Sequence, residues 1–343
     1  MPRPAHRPSP LLALPFLLAL ACASRSHGGG AEALLHRDHP LAGKIWDVRA
    51  ARFVDEATLY QALVAADFVF LGETHDNPEH HRLQARALAA LVAAGRRPAV
   101  AFEMLDIAQQ PYVDQALVGP PPHDPDALAG AVAWAKSGWP EFALYRPVFD
   151  VALRAGLPIT AANLSRKQVH DVVRTGASSL SPGVRAMLDR AGPLSKEASD
   201  EIRDEMYESH CREMPRSMLD PFVTMQRARD AQMAERLLEA ARGRPDGAVL
   251  IAGSGHVRTD RAVPSYLARE APARSRRAVA FQEVSESMRT PADYASAFGS
   301  GELPFDFVVF TPASPREDPC QGLRDRKKPE PIAPAPAAPG VDL

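Results

Sequence analysis

The sequence predicts an α/β fold with a mainly parallel central sheet, helices on both faces of the sheet and a helical cap insertion. The prediction rests on short apolar runs that alternate with longer segments of helical periodicity. Uninterrupted apolar runs of this length are typical of strands buried on both faces of a parallel sheet. The runs cover residues 67–71, 98–103, 157–162, 248–253, 277–282 and 305–310.

Two segments between these runs carry the strongest helix signals. The first begins at Asn77-Pro78, where Asn is a favoured N-cap and Pro a favoured first helical residue, and it ends at Gly95. The second covers residues 221–241. The stretch 165–219 is polar and broken by prolines, which predicts short helices that form the cap insertion.

The composition divides the chain into four regions. Residues 1–21 have the basic start and the short apolar run of a signal peptide, and the run is too short to span a bilayer. Residues 22–40 are rich in Gly, Ala, Ser and His and predict a tether. Residues 41–312 contain no linker-like stretch and form the predicted α/β domain. The proline-rich tail 313–343 cannot bury enough surface to order itself, so we expect disorder there.

The signal peptide ends in small residues that lead directly into Cys22. This pattern is similar to the lipobox of bacterial lipoproteins, in which a diacylglycerol is attached to the cysteine. We therefore predict a cell-envelope protein, periplasmic or on the outer membrane, that lipidated Cys22 anchors to a membrane. The alternative is an ordinary secretory signal that is removed together with Cys22, which would leave a soluble periplasmic protein.

The overall charge and the cysteine count exclude several classes of function. The net charge is -2 and the isoelectric point about 6.6, so we expect no nucleic-acid partner. The three cysteines, Cys22, Cys211 and Cys320, are too few for a disulfide framework or a four-cysteine zinc site. Cys211 and Cys320 could pair in an oxidising compartment, but Cys320 lies in the tail, so we expect a free thiol at Cys211.

Polar residues follow three of the predicted strands. The first run ends in a Gly-x-x-His motif with His75, the second ends in Glu103, and the fourth ends in another Gly-x-x-His motif with His256. Ligands of open α/β sheets bind beyond the carboxyl ends of the strands, so we expect these three residues at one working edge. The plainer alternatives are histidines that only hydrogen-bond to turn backbone, and a salt bridge between Glu103 and Arg258.

These motifs resemble those of a known family. The segments FLGETHDN at 70–77, AFEM at 101–104 and GSGHVR at 253–258 are similar to segments of the ChaN-like haem-binding lipoproteins. The resemblance covers about residues 43–311. It places the chain with the Tiki and erythromycin-esterase-like proteins, some of which use paired Gly-x-x-His motifs and the strand-end glutamate for hydrolysis.

The resemblance implies a membrane-anchored protein that binds haem and takes part in haem or iron uptake. Tyr145 would offer iron a phenolate, and His210 would lie on a mobile cap. The plainer interpretations are a core tyrosine and a solvated loop histidine. Whether the protein forms a homodimer stays open. The residues that would contact haem iron or its propionates are Glu73, His75, Tyr145, His210, His256 and Arg258.

The same residues also fit an enzyme. In a hydrolase, His75, Glu103 and His256 would hold a divalent metal ion or activate water, and Glu73 or Arg258 would stabilise developing charge. A purely structural envelope lipoprotein is the third hypothesis, but it gives no reason for His and Glu at three strand ends. We favour haem binding, although the constellation serves either of the first two functions.

Overall fold

An eight-stranded sheet forms the centre of the protein, in a computed structural model that describes residues 33–298, 301–318 and 320–321. The strands are β1 (Ile45–Asp47), β2 (Arg52–Val54), β3 (Phe68–Glu73), β4 (Ala99–Asp106), β5 (Ile159–Asn163), β6 (Ala248–Gly253), β7 (Arg276–Glu283) and β8 (Phe307–Thr311). Their order across the sheet is β2-β1-β8-β7-β3-β6-β4-β5. Strands β3 to β8 pair in parallel, whereas β1 pairs antiparallel with both β2 and β8.

Helices connect the strands. In the described part of the chain they are α1 (Glu56–Val64), α2 (Pro78–Ala93), α3 (Gln110–Ala116), α4 (Pro125–Ala131), α5 (Phe142–Arg154), α6 (Arg166–Thr175), α7 (Pro182–Ala191), α8 (Lys196–Ser209), α9 (Asp220–Ala240), α10 (Val263–Glu270) and α11 (Pro291–Ala295). The side chain of Asn77 accepts a 2.9 Å hydrogen bond from the Glu79 amide, which caps α2 as its sequence predicts.

Two hydrophobic cores cover the two faces of the sheet. Successive side chains of a strand point to opposite faces. Phe68 of β3 therefore packs in one core with Leu237 of α9, and its neighbour Val69 packs in the other core with Leu88 of α2. The predicted α/β class, with a mainly parallel sheet and helices on both faces, is confirmed.

Each of the apolar runs in the sequence corresponds to one of the strands β3 to β8. The prediction missed β1 and β2, which are three residues long and lie at the antiparallel edge of the sheet. Such strands are only partly buried, so they leave no continuous apolar run. Helices α6, α7 and α8 lie within the predicted insertion 165–219 and precede the long helix α9.

The two ends of the described chain meet. Leu35 pairs with Ala313 in an isolated bridge, and Arg316 hydrogen-bonds to Asp76 and Glu283. The segment that follows the predicted boundary at residue 312 therefore binds the domain. The predicted signal peptide, Cys22, the start of the predicted tether and the tail beyond residue 321 lie outside the described residues. No helix among the described residues is long and apolar enough to cross a membrane.

Cys211 and Cys320 form a disulfide, with their Cα atoms 5.4 Å apart. The expectation of a free thiol at Cys211 is therefore wrong. The segment after β8 runs along the domain and brings Cys320 to the end of α8. Because Cys211 and Cys320 are 109 residues apart along the chain, no local sequence pattern indicates that they lie close together.

Gly72 of β3 lies against the turn that follows β6. A β-carbon at this position would lie 2.3 Å from Val257 Cγ2 and 2.9 Å from Ser254 Cα. We expect Gly72→Ala to lower the free energy of unfolding by about 1–3 kcal/mol in urea denaturation, as overpacking does. Gly255→Ala is the matched control, because its β-carbon would meet nothing within 4 Å. Equal losses in the two variants would contradict the close approach.

Candidate functional site

Three neighbouring strands bring the predicted residues to one edge of the sheet. Glu73 ends β3, Glu103 lies in the last part of β4, and His256 follows β6. His75 Nε2 lies 3.9 Å from Glu103 Oε2, and His256 Nε2 lies 3.3 Å from Glu103 Oε1. The structure thus brings His75 and His256 close to the Glu103 carboxylate at the carboxyl edge of the sheet.

The Glu103 carboxylate is 1% exposed and is the centre of this cluster. It accepts a charged hydrogen bond from Arg229 on α9 and a 2.7 Å hydrogen bond from the Gly253 amide. Burial alone would raise the pKa of Glu103, but His256 and Arg229 hold it well below the usual range. The partner of Glu103 is therefore Arg229, which the sequence analysis missed, and the alternative salt bridge with Arg258 does not form.

Helix α9 also holds His256. The imidazole Nδ1 donates a 2.6 Å hydrogen bond to Asp230 Oδ1. Burial alone would lower the pKa of His256, but Glu103 and Asp230 raise it to about 9. His256 therefore carries a proton at neutral pH and acts as a buried cation in the resting protein. Arg229 and Asp230 are adjacent on α9, so one turn of this helix supplies both the cation that pairs with Glu103 and the carboxylate that pairs with His256.

Glu73 is the second buried carboxylate. Its Oε1 accepts a 2.9 Å hydrogen bond from His75 Nδ1, and its Oε2 lies 3.1 Å from His81 Nδ1. Burial alone would raise the pKa of Glu73, but His81 and His75 hold it at about 2. His81 Nε2 also donates a 3.0 Å hydrogen bond to the His75 carbonyl. Helix α2 thereby fixes the loop that carries His75, whose side chain is 34% exposed.

His80 fixes the start of the same loop. Its Nδ1 accepts a 2.8 Å hydrogen bond from the Thr74 amide, and its Nε2 lies 2.7 Å from Thr311 Oγ1. Burial lowers the pKa of His80 to about 3, so the imidazole stays neutral. A neutral ring that accepts at Nδ1 donates at Nε2, which fits both contacts.

Tyr145 lies fully buried on α5. Its hydroxyl donates a 3.3 Å hydrogen bond to the His75 carbonyl, and its ring lies 4.1 Å from the His81 ring, centroid to centroid. Burial, assisted by the charge of Glu73, raises the pKa of Tyr145 far above its usual value. In this structure the Tyr145 hydroxyl is protonated and buried, which fits the plainer interpretation of a core tyrosine.

Two other predicted haem contacts are engaged elsewhere. His210 is exposed at the end of α8, where its Nδ1 donates a 2.7 Å hydrogen bond to the Met206 carbonyl. Arg258 is buried and pairs with Glu201 at 2.9 Å and with Asp260 at 2.6 Å. Arg258 therefore fastens the cap helix α8 to the turn after β6, and neither residue lines the cavity beside Glu103.

That cavity has a volume of about 800 Å³ and opens between the sheet edge and cap helix α6. Its floor includes Glu103, Asn163 and Arg229. Three exposed polar side chains, Lys136, Arg166 and His170, also border it. No motif marks His170 in the sequence, where it is one polar residue of the cap. The apolar walls include Val132, Trp139, Leu164, Val169, Val173 and Met225.

The divalent-metal alternative finds no support. Within the described residues, no group of three or more His, Cys, Asp or Glu side chains is arranged to hold a metal ion. Both oxygens of Glu103 are already occupied, one by Arg229 and the other by the Gly253 amide.

Comparison with known proteins identifies the family. A family model described as "Haem-binding uptake, Tiki superfamily, ChaN" matches residues 59–267, and the chain belongs to this family. No curated protein matches the chain.

Solved structures share the fold. A structure titled "Cofacial heme binding to ChaN of Campylobacter jejuni" is 23% identical, with a TM-score of 0.60, and the match covers 77% of this chain and 95% of that one. The type III effector HopBA1 is 14% identical, with a TM-score of 0.40 and coverages of 75% and 93%. A mutant of the erythromycin esterase EreC is 18% identical, with a TM-score of 0.37 and coverages of 79% and 83%. The first similarity shows the fold, and the other two are too distant to carry an argument.

The raised pKa of His256 predicts a loss of stability at alkaline pH. The pKa of His256 moves from 6.5 to about 9 on folding. The stability that the protonated His256 contributes is therefore complete below pH 6.5 and is lost as the pH rises through 9. We expect the free energy of unfolding to fall by about 1–3 kcal/mol over this range in urea denaturation. His256→Asn should reduce the slope, because the raised pKa values of His75 and His81 contribute the remainder, whereas the exposed control His210→Asn should keep the full slope. An NMR titration that places the His256 pKa near 6.5 would contradict the prediction even if His256→Asn does not fold.

Proposed function

We propose that the protein binds haem in the cavity between the carboxyl edge of the sheet and the cap. The observation that carries this proposal is the cavity itself, whose volume of about 800 Å³ lies within the usual range for ligand sites. A haem site needs apolar walls, an iron ligand and partners for two carboxylates. The cavity offers apolar walls, an imidazole and two cationic side chains, and membership of the family supports the same function.

We assign the iron contact to His170. The side chains around the cavity that are suited to iron are His170, Met104 and Met225. Of these, His170 is exposed, whereas Met104 and Met225 are buried. His170 can therefore reach a ligand without any rearrangement of the core.

His75 offers a second imidazole beside the cavity. Its ring packs edge to face against Trp139, a wall residue, with the centroids 4.9 Å apart. Because Glu73 holds Nδ1, the free Nε2 is directed toward Glu103 on the cavity floor. His75 would contact the ligand from the side of the sheet, whereas His170 would contact it from the cap.

The propionates would bind Arg166 and Lys136. Arg166 Nη2 donates hydrogen bonds to the carbonyls of Lys136 and Ser137, which holds the guanidinium beside the cavity. Both cationic side chains are exposed, so a carboxylate can approach them from solvent.

The test is a haemin titration of the purified protein, followed through the Soret band. We expect saturable binding, an affinity at least tenfold lower in His170→Ala, and no more than a twofold change in His210→Ala, the exposed control from the same cap. Losing a contact between His170 and iron that contributes about 1.4 kcal/mol or more lowers the affinity at least tenfold. Tyr145→Phe should leave the spectrum unchanged, because its hydroxyl stays protonated and buried.

Hydrolysis is the second candidate function, and one observation favours it. Two imidazole–carboxylate pairs flank Glu103, His75 with Glu73 at 2.9 Å and His256 with Asp230 at 2.6 Å. In an enzyme, the partly exposed His75 would transfer protons, and the protonated His256 would stabilise negative charge. Absence of haemin binding, together with an ester hydrolysis that Glu103→Gln abolishes, would replace the first proposal by this one.

We also propose that the protein is exported, lipidated at Cys22 and active in haem or iron uptake at the cell envelope. The Cys211–Cys320 disulfide supports export, because such bonds persist in oxidising compartments. In cells fed labelled palmitate, we expect the wild type to carry the label in the membrane fraction. Cys22→Ser should carry none, whereas Cys211→Ser should be labelled normally. A labelled Cys22→Ser protein would contradict lipidation at this residue.

A further inference from the structure

The segment that follows β8 runs along the loop that carries His75. We call this segment, together with the last residue of β8, the strap and define it as residues 311–318 together with Cys320. Thr311 Oγ1 accepts the 2.7 Å hydrogen bond from His80, and the Pro312 carbonyl accepts a 3.0 Å hydrogen bond from Asn77 Nδ2. Ser314 Oγ donates a 3.2 Å hydrogen bond to the Asp76 carbonyl. The strap therefore holds the loop at two successive residues after His75.

Arg316 strengthens this attachment through charge. Its Nε donates a 2.6 Å hydrogen bond to Asp76 Oδ2, and its Nη1 donates a 2.6 Å hydrogen bond to Glu283 Oε2. Asn77 Nδ2 also donates a 2.6 Å hydrogen bond to Glu283 Oε1. Arg316 thus joins the loop to the end of β7. Because Asp76 directly follows His75, the ion pair between Arg316 and Asp76 helps to fix the position of the His75 imidazole.

The other end of the strap is bonded to the cap. Cys320 forms the disulfide with Cys211, which follows α8. Cys211 and Arg212 have φ angles of 58° and 60°, and two successive non-glycine residues in the left-handed region are uncommon. The cap also supplies the part of the cavity wall that contains His170. One covalent bond therefore links the cap to the strap that holds the His75 loop.

We infer that the Cys211–Cys320 disulfide is a redox-controlled clasp that keeps the cap and the His75 loop together and is opened by a dithiol reductant. The effect on ligand release rests on the proposed haem function.

The chemistry of opening is a thiol–disulfide exchange. A thiolate of the dithiol attacks one sulfur of the pair, the S–S bond breaks, and a mixed disulfide forms. The second thiol of the reductant then displaces the protein sulfur. The dithiol loses two electrons and two protons and becomes a disulfide, while Cys211 and Cys320 become thiols. With the clasp open, the strap loses its covalent anchor to the cap, and the residues around Cys211 can leave the left-handed conformation.

The experiment uses the full chain in three forms: the oxidised wild type, the wild type treated with dithiothreitol and alkylated with iodoacetamide, and the Cys211→Ser/Cys320→Ser double variant. Arg316→Gln separates the strap from the loop while the disulfide stays, and Arg86→Gln is the control for loss of an exposed arginine. The two readouts are amide hydrogen exchange of residues 74–77 and the dissociation rate of bound haemin.

We expect faster exchange of residues 74–77, and haemin release faster by roughly tenfold, in both opened forms and in Arg316→Gln. Arg86→Gln should match the wild type. Unchanged exchange in the opened forms would overturn the clasp. If exchange rises while no form binds haemin, the clasp stands and the proposed function fails. If haemin binds but neither its release nor the exchange depends on the disulfide, the proposed function stands and the clasp fails.

Discussion

The edge of the sheet is organised around the negative charge of Glu103. A carboxylate removed from water is costly unless cations and hydrogen bonds compensate it. Here the compensation comes from Arg229 on α9, from the protonated His256 and from the Gly253 amide after β6. Three elements must therefore meet at one point of β4. Removing Arg229 or the protonated His256 would leave the buried charge of Glu103 undercompensated and would destabilise this edge of the sheet.

This compensation also decides which residues remain free for a ligand. His256 is buried between two carboxylates, Glu73 is buried between two imidazoles, and Tyr145 is enclosed beneath the His75 loop. These groups set the shape and the charge of the edge. Under the proposed function, direct contacts with the ligand fall to the exposed His170 on the cap and to the partly exposed His75 beside Trp139. A residue can therefore belong to a motif without having a side chain that a ligand can reach.

Much of this architecture follows from short-range patterns. Runs buried on both faces mark the parallel strands, and the order of the strands fixes their common carboxyl edge, so His75, Glu103 and His256 could be predicted to meet. The strands β1 and β2 could not be found, because partly exposed three-residue strands leave no apolar run. Arg229, the burial of Tyr145 and the Cys211–Cys320 bond depend on which elements pack together. That packing is set by contacts between residues 70 to 126 positions apart, which no local pattern contains.

Under the proposed function, haem occupies the cavity between the sheet edge and the cap, with its iron at His170. The most direct measurement is a crystal structure of the protein crystallised with haemin, with the iron located by anomalous scattering. We expect iron within bonding distance of His170 and the macrocycle between α6 and the edge at Glu103. An iron peak at Tyr145, or a macrocycle outside this cavity, would contradict it.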